Sequence, residues 1–412
     1  MFEIKERDCA GRLANLKVKN KQIKLPTLLP VVNPNKLVIS PSEMRVKFKV
    51  DAIITNAYII YTSPLLKQKF LERGLHKVLK FDGVIETDSG SYQMLHYKKD
   101  LEISNREIVE FQNKIGSDII NVLDIPTDVD ADYEQAKRDL EVTINRIKEG
   151  ITLKQEDCLI NGAIQGGIYP ELRKQSAQKV QELRVDIFTI GTIVPYLINY
   201  NFKKLFELIM EARVELPFNK PVHLFGLGHP LILPLSVAMG CDIFDSASYI
   251  LYAYDNRLMT PFGTIKLKPE NELIIETPSK IYEAKELFEM NKEERLKIIA
   301  EHNLLILMKE VYTIRDAIKN HYLWDLVIIK AHSHYKVYEA TRFVLERYYS
   351  WLKRLDPVRK HKGITSYSDL TELRSDIKRA LERLKERVNP KDVEAVYEYT
   401  YPFNSLKDVK PL

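Results

Sequence analysis

The sequence lacks the features of a membrane, secreted or disulfide-stapled protein. No stretch of the 412 residues comes near the roughly 18 consecutive uncharged apolar residues that a membrane-spanning helix needs. The N-terminus, MFEIKERDCAGR, lacks the apolar core of a signal peptide, so we expect a cytoplasmic protein. The three cysteines, Cys9, Cys158 and Cys241, are far apart and odd in number, which argues against a disulfide framework or a cysteine zinc cluster.

The length exceeds that of a usual single domain, so we expect one large domain and a smaller one. The chain carries 62 Lys/Arg against 57 Asp/Glu, and residues 301–412 hold 21 and 16 of these. Residues 1–300 are therefore balanced, and the excess positive charge lies in the last quarter of the chain. This region is either a solvated helical surface or a surface that contacts phosphate.

Short apolar runs alternate with longer amphipathic segments from Leu28 to Asp245. The runs are LLPVV, AIITNA, GVIETD, IINVLD, LINGAIQGG, DIFTIGTIV, VHLFGLG and CDIFD. Continuous runs rich in Ile, Leu and Val are typical of parallel strands covered on both faces. Eight such strands with crossover helices predict an α/β fold, a (β/α)8 TIM-type barrel, followed by a smaller, mainly helical C-terminal region.

The segments between the runs predict helices. DYEQAKRDLEVTINRIKEG has one apolar face and ends at Gly150, a C-cap signal. YPELRKQSAQKVQELR carries Pro170 in its first turn. After the barrel, helical patterns cover about 291–330, 333–355 and 369–388.

Polar residues or glycines stand at successive strand ends, where barrel enzymes build their active sites. The series is Asn56, Asp88, Asp124, Gln165, Gly191, Gly226 and Asp245. Two carboxylates on different strands, Asp88 and Asp245, suit a displacement at an acetal-like carbon, with one acid as nucleophile and the other as proton shuttle. For either Asp alone, capping of the following helix is the simpler interpretation; the whole series favours a site.

The neighbouring residues predict a purine pocket. Ser89, Gly90 and Ser91 leave room for a flat group, and Tyr92 and Phe225 offer rings for its two faces. Asp124 and Gln165 supply hydrogen-bonding groups for a guanine-like edge.

These segments resemble the tRNA-guanine transglycosylases, most closely the archaeal enzymes of the archaeosine pathway. The matching motifs cover most of residues 25–265, and NKEERLKIIAEHNLLI extends the match to about 330; the motifs are TDSGSYQ, IGSDIINVLDIPTD, AIQGGIYPELR, IGTIVP, VHLFGLGHP and GCDIFDSASYILYAYDNRLMTPFGT. The domains expected from this resemblance are a catalytic barrel (1–265), a barrel-completing helical region in place of the family's zinc subdomain (266–330) and a basic helical region (331–412).

The resemblance implies a base exchange in tRNA, with guanine 15 of the D arm replaced by 7-cyano-7-deazaguanine. Asp245 matches the nucleophile that attacks C1′ of the ribose, and Asp88 matches the general acid/base. The positions that match the family's base pocket are Ser89, Tyr92, Asp124, Gln165, Gly166, Ile193, Val194, Phe225 and Gly226.

The sequence departs from the family at its structural zinc site. Ile274, Glu276 and Ser279 stand where the cysteines belong, and only His302 matches. Tetrahedral structural zinc needs four such ligands, so we predict no metal and no other cofactor, with Ile274 and Ile275 replacing the zinc by apolar packing.

Archaeal enzymes of the family usually continue into a C-terminal RNA-binding PUA domain, and we expect this chain to be either a shortened form or one that works with a PUA domain on a separate polypeptide. The expected partners are tRNA, guanine and 7-cyano-7-deazaguanine, with a possible homodimer and a possible separate PUA-domain protein, and no membrane. Two alternatives stay open: a non-catalytic tRNA-binding paralogue or subunit, and a deazaguanine transglycosylase that acts on DNA.

Overall fold

The computed structural model describes residues 1–92 and 103–387 and two short strands, Tyr397–Glu398 and Lys410–Pro411. Three antiparallel strands come first: β1 (Phe2–Asp8), β2 (Gly11–Val18) and β3 (Lys21–Leu25). The next eight close a parallel barrel: β4 (Thr27–Val32), β5 (Ala52–Asn56), β6 (Val84–Asp88), β7 (Ile119–Ile120), β8 (Leu159–Ile164), β9 (Ile187–Ile190), β10 (Val222–Leu224) and β11 (Ile243–Ser246). Each contains part of one of the eight apolar runs, so the predicted barrel is confirmed.

The N-terminal sheet covers the end of the barrel where the strands begin. Leu16, Val18 and Ile23 of this sheet share one buried cluster with inward-facing barrel residues such as Ile54 and Ile119. Burying these apolar side chains together excludes water from this end of the barrel, which is its floor. The opposite end, where the strands finish, is left for polar side chains. None of the eight apolar runs in the sequence belongs to this sheet.

Helices follow most barrel strands. The helices whose bounds are given within the described parts of residues 41–254 are Pro41–Phe48, Ala57–Thr62, Pro64–Arg73, Leu75–Leu79, Asn105–Lys114, Tyr133–Leu153, Pro170–Gln181, Val194–Ile198, Phe202–Arg213, Leu233–Ala238 and Ser248–Tyr254. The prediction that Gly150 ends a helix is wrong, because the helix continues to Leu153. A Cβ at Gly150 would lie 2.6 Å from Val122 Cγ1, so glycine allows the helix to approach the barrel.

Two hairpins and a helical region follow the barrel. The hairpins pair β12 (Arg257–Thr260) with β13 (Gly263–Lys266) and β14 (Ile274–Glu276) with β15 (Ile281–Glu283). The helices are Ala284–Glu289, Lys292–Lys319, Leu323–Ala331, Tyr335–Arg347, Tyr349–Leu355, Asp369–Leu373 and Ser375–Arg387. The helix predicted over 291–330 is therefore two helices, and it breaks near His321, whose φ is +59°.

The C-terminal helices pack on the barrel, with Tyr335–Arg347 against Phe202–Arg213. Most of the predicted region beyond residue 387 lies outside the described residues. In the described part of the chain, no helix is both long and apolar enough to cross a bilayer. The domain boundaries proposed from the sequence stay a prediction.

Candidate active site

Asp88 is the last residue of β6 and lies at the mouth of the barrel, the end where the parallel strands finish. Asn56, at the end of neighbouring β5, donates from Nδ2 to Asp88 Oδ2 at 2.6 Å, and Gly90 N–H donates to Oδ1 at 3.3 Å. Burial raises the pKa of Asp88 to about 7, and the negative charges of Asp124, Asp245 and Glu86 add to that rise against the Gly90 hydrogen bond. A carboxyl group with this pKa can both give and take a proton near neutral pH.

Asp245 lies at the equivalent end of β11. Its Oδ1 accepts a hydrogen bond from Gly226 N–H at 2.9 Å and lies 3.0 Å from His223 Nε2. Gly226 has a φ of +72°, and a Cβ there would lie 2.4 Å from Val194 Cγ2. The turn after β10 therefore requires glycine, and it directs a backbone donor at Asp245.

Asp124 reaches the same mouth on an irregular segment. Regular pairing of β7 ends at Ile120, because the Gln112 side chain bonds both the backbone N–H (3.0 Å) and the backbone C=O (2.7 Å) of Asn121. Gln165 donates from Nε2 to Asp124 Oδ2 and accepts from Thr192 Oγ1 at 2.8 Å. Burial raises the pKa of Asp124, while its hydrogen bonds oppose that shift.

The loop after β9 has a strained backbone and is held by hydrogen bonds from a buried arginine. Thr192 has a φ of +54°, which a β-branched residue rarely adopts, and such strain is found mainly at functional sites. The buried Arg173 donates from Nε to Gly167 O at 3.0 Å and from Nη1 to Gly191 O at 2.7 Å. Arg173 thus ties together the two loops that carry Gln165 and Thr192.

The other predicted pocket residues lie on the loops around this mouth. Ser89 is buried and its Oγ lies 2.9 Å from Ser91 Oγ, while Tyr92 is half-buried. Gly166 has a φ of +142°, and a Cβ there would lie 2.7 Å from Arg173 N. Ile193 is buried, Val194 is partly exposed against Gly226, and the Phe225 ring lies edge to face on His223 at 4.5 Å between centroids.

Four residues of this region are not among the site residues predicted from the sequence: Glu86, His223, Arg173 and Thr192. Glu86 follows the apolar pair Val84 and Ile85 in VIETD, and His223 lies between two apolar residues in VHL; a charged or polar residue inside a buried strand is the signal that could have revealed them. Arg173 carried no such signal, because it lies in an ordinary amphipathic helix. The strain at Thr192 is visible only in three dimensions.

The residues at the family's zinc position do not fit a tetrahedral zinc ion. Both nitrogens of His302 lie near backbone atoms: Nε2 is 3.0 Å from Met259 O, and Nδ1 is 3.2 Å from Glu276 N. Nδ1 also lies 3.0 Å from Glu276 O, so both ring nitrogens are within hydrogen-bond distance of backbone atoms, and burial lowers the pKa of His302. Ile275 is fully buried, but Ile274 is 70% exposed, so the expected packing role of Ile274 is wrong.

Chemically, the mouth of the barrel offers two carboxyl groups with different surroundings. Asp245 is approached by His223 and the Gly226 N–H at one oxygen, whereas Asp88 accepts one hydrogen bond at each oxygen and has a raised pKa. A hydrogen-bonded pair, Asp124 and Gln165, stands beside them. This arrangement fits a nucleophile, a proton carrier and a reader of a heterocycle edge.

Comparison with known proteins shows the family of this chain. The model of a family described as queuine tRNA-ribosyltransferase (TGT) matches residues 8–336. The chain is 45% identical over 406 residues to the tRNA-guanine(15) transglycosylase of Nanoarchaeum equitans, an alignment covering 98% of this chain and 95% of that protein. It is 44% identical to the protein of the same name from Pyrococcus furiosus, covering 96% of this chain and 67% of the relative.

Proposed function

This chain belongs to the queuine tRNA-ribosyltransferase family of pentosyltransferases, and we propose that it exchanges guanine 15 of tRNA for 7-cyano-7-deazaguanine through a covalent intermediate on Asp245. Its enzyme class and the exchange of guanine in tRNA follow from the family and the relatives. The position of the target, the incoming base and the intermediate are the proposal. The observation that carries it is the presence of Asp245 and Asp88 at one mouth beside the Asp124–Gln165 pair.

Recognition of the base follows from the donors and acceptors of the mouth. Guanine and 7-deazaguanines present N–H donors at N1 and N2 and an acceptor at O6. The Asp124 carboxylate accepts from the two donors, and the second N–H of the Gln165 amide is available for the carbonyl oxygen, because the first is bonded to Asp124. Thr192 fixes the orientation of that amide. An adenine edge, with its donor and acceptor reversed, is a poor match.

The exchange takes two displacements at C1′. Asp245 attacks C1′ as the bond to guanine N9 breaks, and Asp88 in its acid form gives a proton to the departing base. Asp88 then takes a proton from the incoming base, whose nitrogen attacks C1′ and returns the bonding electrons to Asp245. A pKa of about 7 suits Asp88 for both directions. The overall exchange needs no external acid, base or energy source.

The test is incorporation of labelled 7-cyano-7-deazaguanine into an unmodified tRNA transcript. We expect incorporation by the wild type, none into a transcript with adenosine at position 15, and a covalent adduct that survives denaturation. Asp245→Asn should lower the rate by at least about 10⁴-fold and abolish the adduct. Asp255→Asn is the matched control, because Asp255 is an exposed carboxylate ten positions along the chain. Full activity of Asp245→Asn, or labelling of duplex DNA alone, contradicts the proposal.

We also propose that the protein functions without structural zinc. The support is the donor set: two of the four positions that match the family's ligands hold Ile274 and Ser279, and His302 is engaged with backbone atoms. A chelator such as EDTA should leave the melting temperature and the exchange rate unchanged. Stoichiometric zinc in protein purified without added metal, or a chelator-induced fall in melting temperature, contradicts this.

The assembly partners are further predictions. A homodimer and a separate PUA-domain protein were expected from the family resemblance. The chain spans nearly the whole of the Nanoarchaeum relative but about two thirds of the Pyrococcus one. Size-exclusion chromatography with light scattering tests the dimer.

A further inference from the structure

Two groups approach the carboxylate of Asp245, the proposed nucleophile, and both approach the same oxygen. His223 Nε2 and Gly226 N–H approach the same oxygen of Asp245, Oδ1, at 3.0 and 2.9 Å. In the described residues, 1–92 and 103–387, no group donates a hydrogen bond to Oδ2. His223 lies on β10 beside β11, so the strand pairing itself brings the imidazole to Asp245. The two carboxylate oxygens therefore have different surroundings.

Behind the imidazole lies a second buried carboxylate. Glu86 Oε1 is 3.5 Å from His223 Nδ1, and both side chains are fully buried. Within the described residues Nδ1 makes no hydrogen bond, so this contact is an ion pair. The same oxygen accepts from Asn121 Nδ2 at 2.9 Å and from Asn161 Nδ2 at 2.7 Å, so Glu86 is fixed from neighbouring strands. The charged groups that face His223 are thus Glu86 from β6 and Asp245 from β11. The Phe225 ring covers the imidazole edge.

The carboxylates of Glu86 and Asp245, on the two sides of His223, favour the charged form of its imidazole. Burial by itself lowers the pKa of His223, but the carboxylates of Glu86 and Asp245 outweigh it and raise the pKa to about 9. At neutral pH both ring nitrogens then carry protons, one facing each carboxylate. A hydrogen bond from an ionised donor is roughly twice as strong as a neutral one.

Building on the proposed function, we propose that His223 is a positioning residue for Asp245: together with Gly226 N–H it holds Oδ1, so that Oδ2 is the atom that attacks C1′, and Glu86 anchors the imidazole. In the first displacement the Oδ2–C1′ bond forms as the C1′–N9 bond breaks. Oδ1 becomes the carbonyl oxygen of the resulting ester and keeps both donors. In the second displacement the electron pair returns to Asp245.

The two donors affect the two displacements differently. They bind a carboxylate more strongly than an ester carbonyl, because the carboxylate oxygen carries more charge. They therefore favour departure of Asp245 from C1′, which is the second displacement. Loss of His223 should slow breakdown of the intermediate more than its formation, so that the tRNA adduct accumulates during turnover.

The experiment compares His223→Phe, which removes the donor, with His223→Gln, which restores a neutral one. His223→Phe should lower kcat about 10²–10³-fold, by analogy with the loss of one oxyanion-hole donor. It should also raise the steady-state fraction of adduct, with KM for tRNA and base little changed. His223→Gln should recover at least about tenfold of the loss, since its Nε2 amide is again a donor to Oδ1.

Glu86→Gln provides a second, independent readout. Its amide oxygen still accepts from Asn121 and Asn161, but the charge facing His223 is lost. In adduct breakdown Asp88 acts as a base and needs no proton, so we assign the alkaline fall of the breakdown rate to deprotonation of His223 near pH 9, and in Glu86→Gln this fall should move to lower pH by about one unit or more. This variant decides the question if His223→Phe does not fold.

Failure of this inference is distinct from failure of the proposed function. If the wild type forms no Asp245-dependent adduct, the proposed function is wrong. If the wild type forms it, but His223→Phe keeps more than half of kcat with an unchanged adduct fraction, only the role of His223 is wrong. An unshifted alkaline limb in Glu86→Gln contradicts the anchoring role of Glu86.

Discussion

Asp88 ends one barrel strand, β6, and Asp118 comes just before the neighbouring strand, β7; these buried carboxyl groups lie at opposite ends of the barrel and their pKa values move in opposite directions. Asp88, at the end of β6, has a pKa raised to about 7 by burial and by neighbouring carboxylates. Asp118 comes just before β7. Burial also opposes its ionisation, but hydrogen bonds from His76, Lys21 and the Ile85 backbone outweigh this and lower its pKa to about 2.

The closed end of the barrel pairs its charges. Lys21 of β3 lies 2.9 Å from Asp118, and Arg12 of β2 makes two hydrogen bonds, at 2.8 and 2.7 Å, to Asp242 just before β11. Both links join the N-terminal sheet to the floor of the barrel. At the open end, in residues 1–92 and 103–387, neither lysine nor arginine forms an ion pair with Asp88, Asp124 or Asp245.

The carboxylates at the closed end of the barrel stabilise the fold, whereas we propose that Asp88 at the open end takes part in the reaction. A paired carboxylate stays ionised and holds the structure, whereas an unpaired buried carboxyl can change its protonation state at neutral pH. The Asp245 carboxylate is paired with a histidine rather than with a lysine or arginine. The same residue type thus has a different role at each end.

The largest expected effect is on catalysis at the open end. Asp88→Asn removes the proposed proton carrier, so single-turnover release of guanine from tRNA should slow about 10²–10⁴-fold. In the wild type, release needs the acid form of Asp88 and should fall tenfold per pH unit above about pH 7. The variant should lack this limb, because an amide does not titrate.

Asp118→Asn is the matched control for Asp88→Asn, since it makes the same change at the other end of the barrel. Its guanine release per folded molecule should keep the wild-type pH limb. A limb near pH 7 that survives in Asp88→Asn would assign the titration to another group.

Next in size is a loss of stability at the closed end. Arg12→Ala leaves Asp242 buried without its partner, and breaking a buried ion pair in this way typically costs about 3–5 kcal/mol of the free energy of unfolding. Arg12 also donates to Phe218 O and Lys220 O, so these carbonyls lose partners as well. Urea unfolding measures the change, and exchange activity per folded molecule should stay within about twofold. A stable but inactive variant would contradict the separation of the two ends.

The sequence predicted the open end far better than the closed one. Parallel strands covered on both faces are apolar runs, so all eight barrel strands and their polar end residues were visible. The N-terminal sheet was missed because strands such as FEIKERD carry many charges and do not form apolar runs. Its anchoring pairs, Arg12–Asp242 and Lys21–Asp118, join residues 230 and 97 positions apart, and no local pattern indicates them.

The same limit explains the missed parts of the site. Asp88 and Asp245 stand at strand ends and could be recognised there, but Glu86 and His223 gain their importance from facing each other across the barrel. Gly150 was misassigned because a glycine that ends a helix and a glycine that admits a close neighbour look alike in sequence. The roles of Glu86, His223 and Gly150 depend on strand register and side-chain packing, which exist only in the folded barrel.

The smallest expected effect is an opposite pH dependence of stability at the two ends. Asp118 has a folded pKa of about 2 against 3.8 when unfolded, so its ionised form stabilises the fold above about pH 4, and this contribution is lost as the pH falls towards 2. The destabilisation caused by Asp118→Asn should therefore shrink by about 2 kcal/mol between pH 5 and pH 2.5. Asp88 has the opposite sign: its folded pKa is raised, so stability is lost as the pH rises from about 4 to 7, and Asp88→Asn should gain stability relative to the wild type over that range. Urea titrations of both variants at each pH measure the two slopes, and slopes of the same sign would show that the two ends of the barrel do not differ as described.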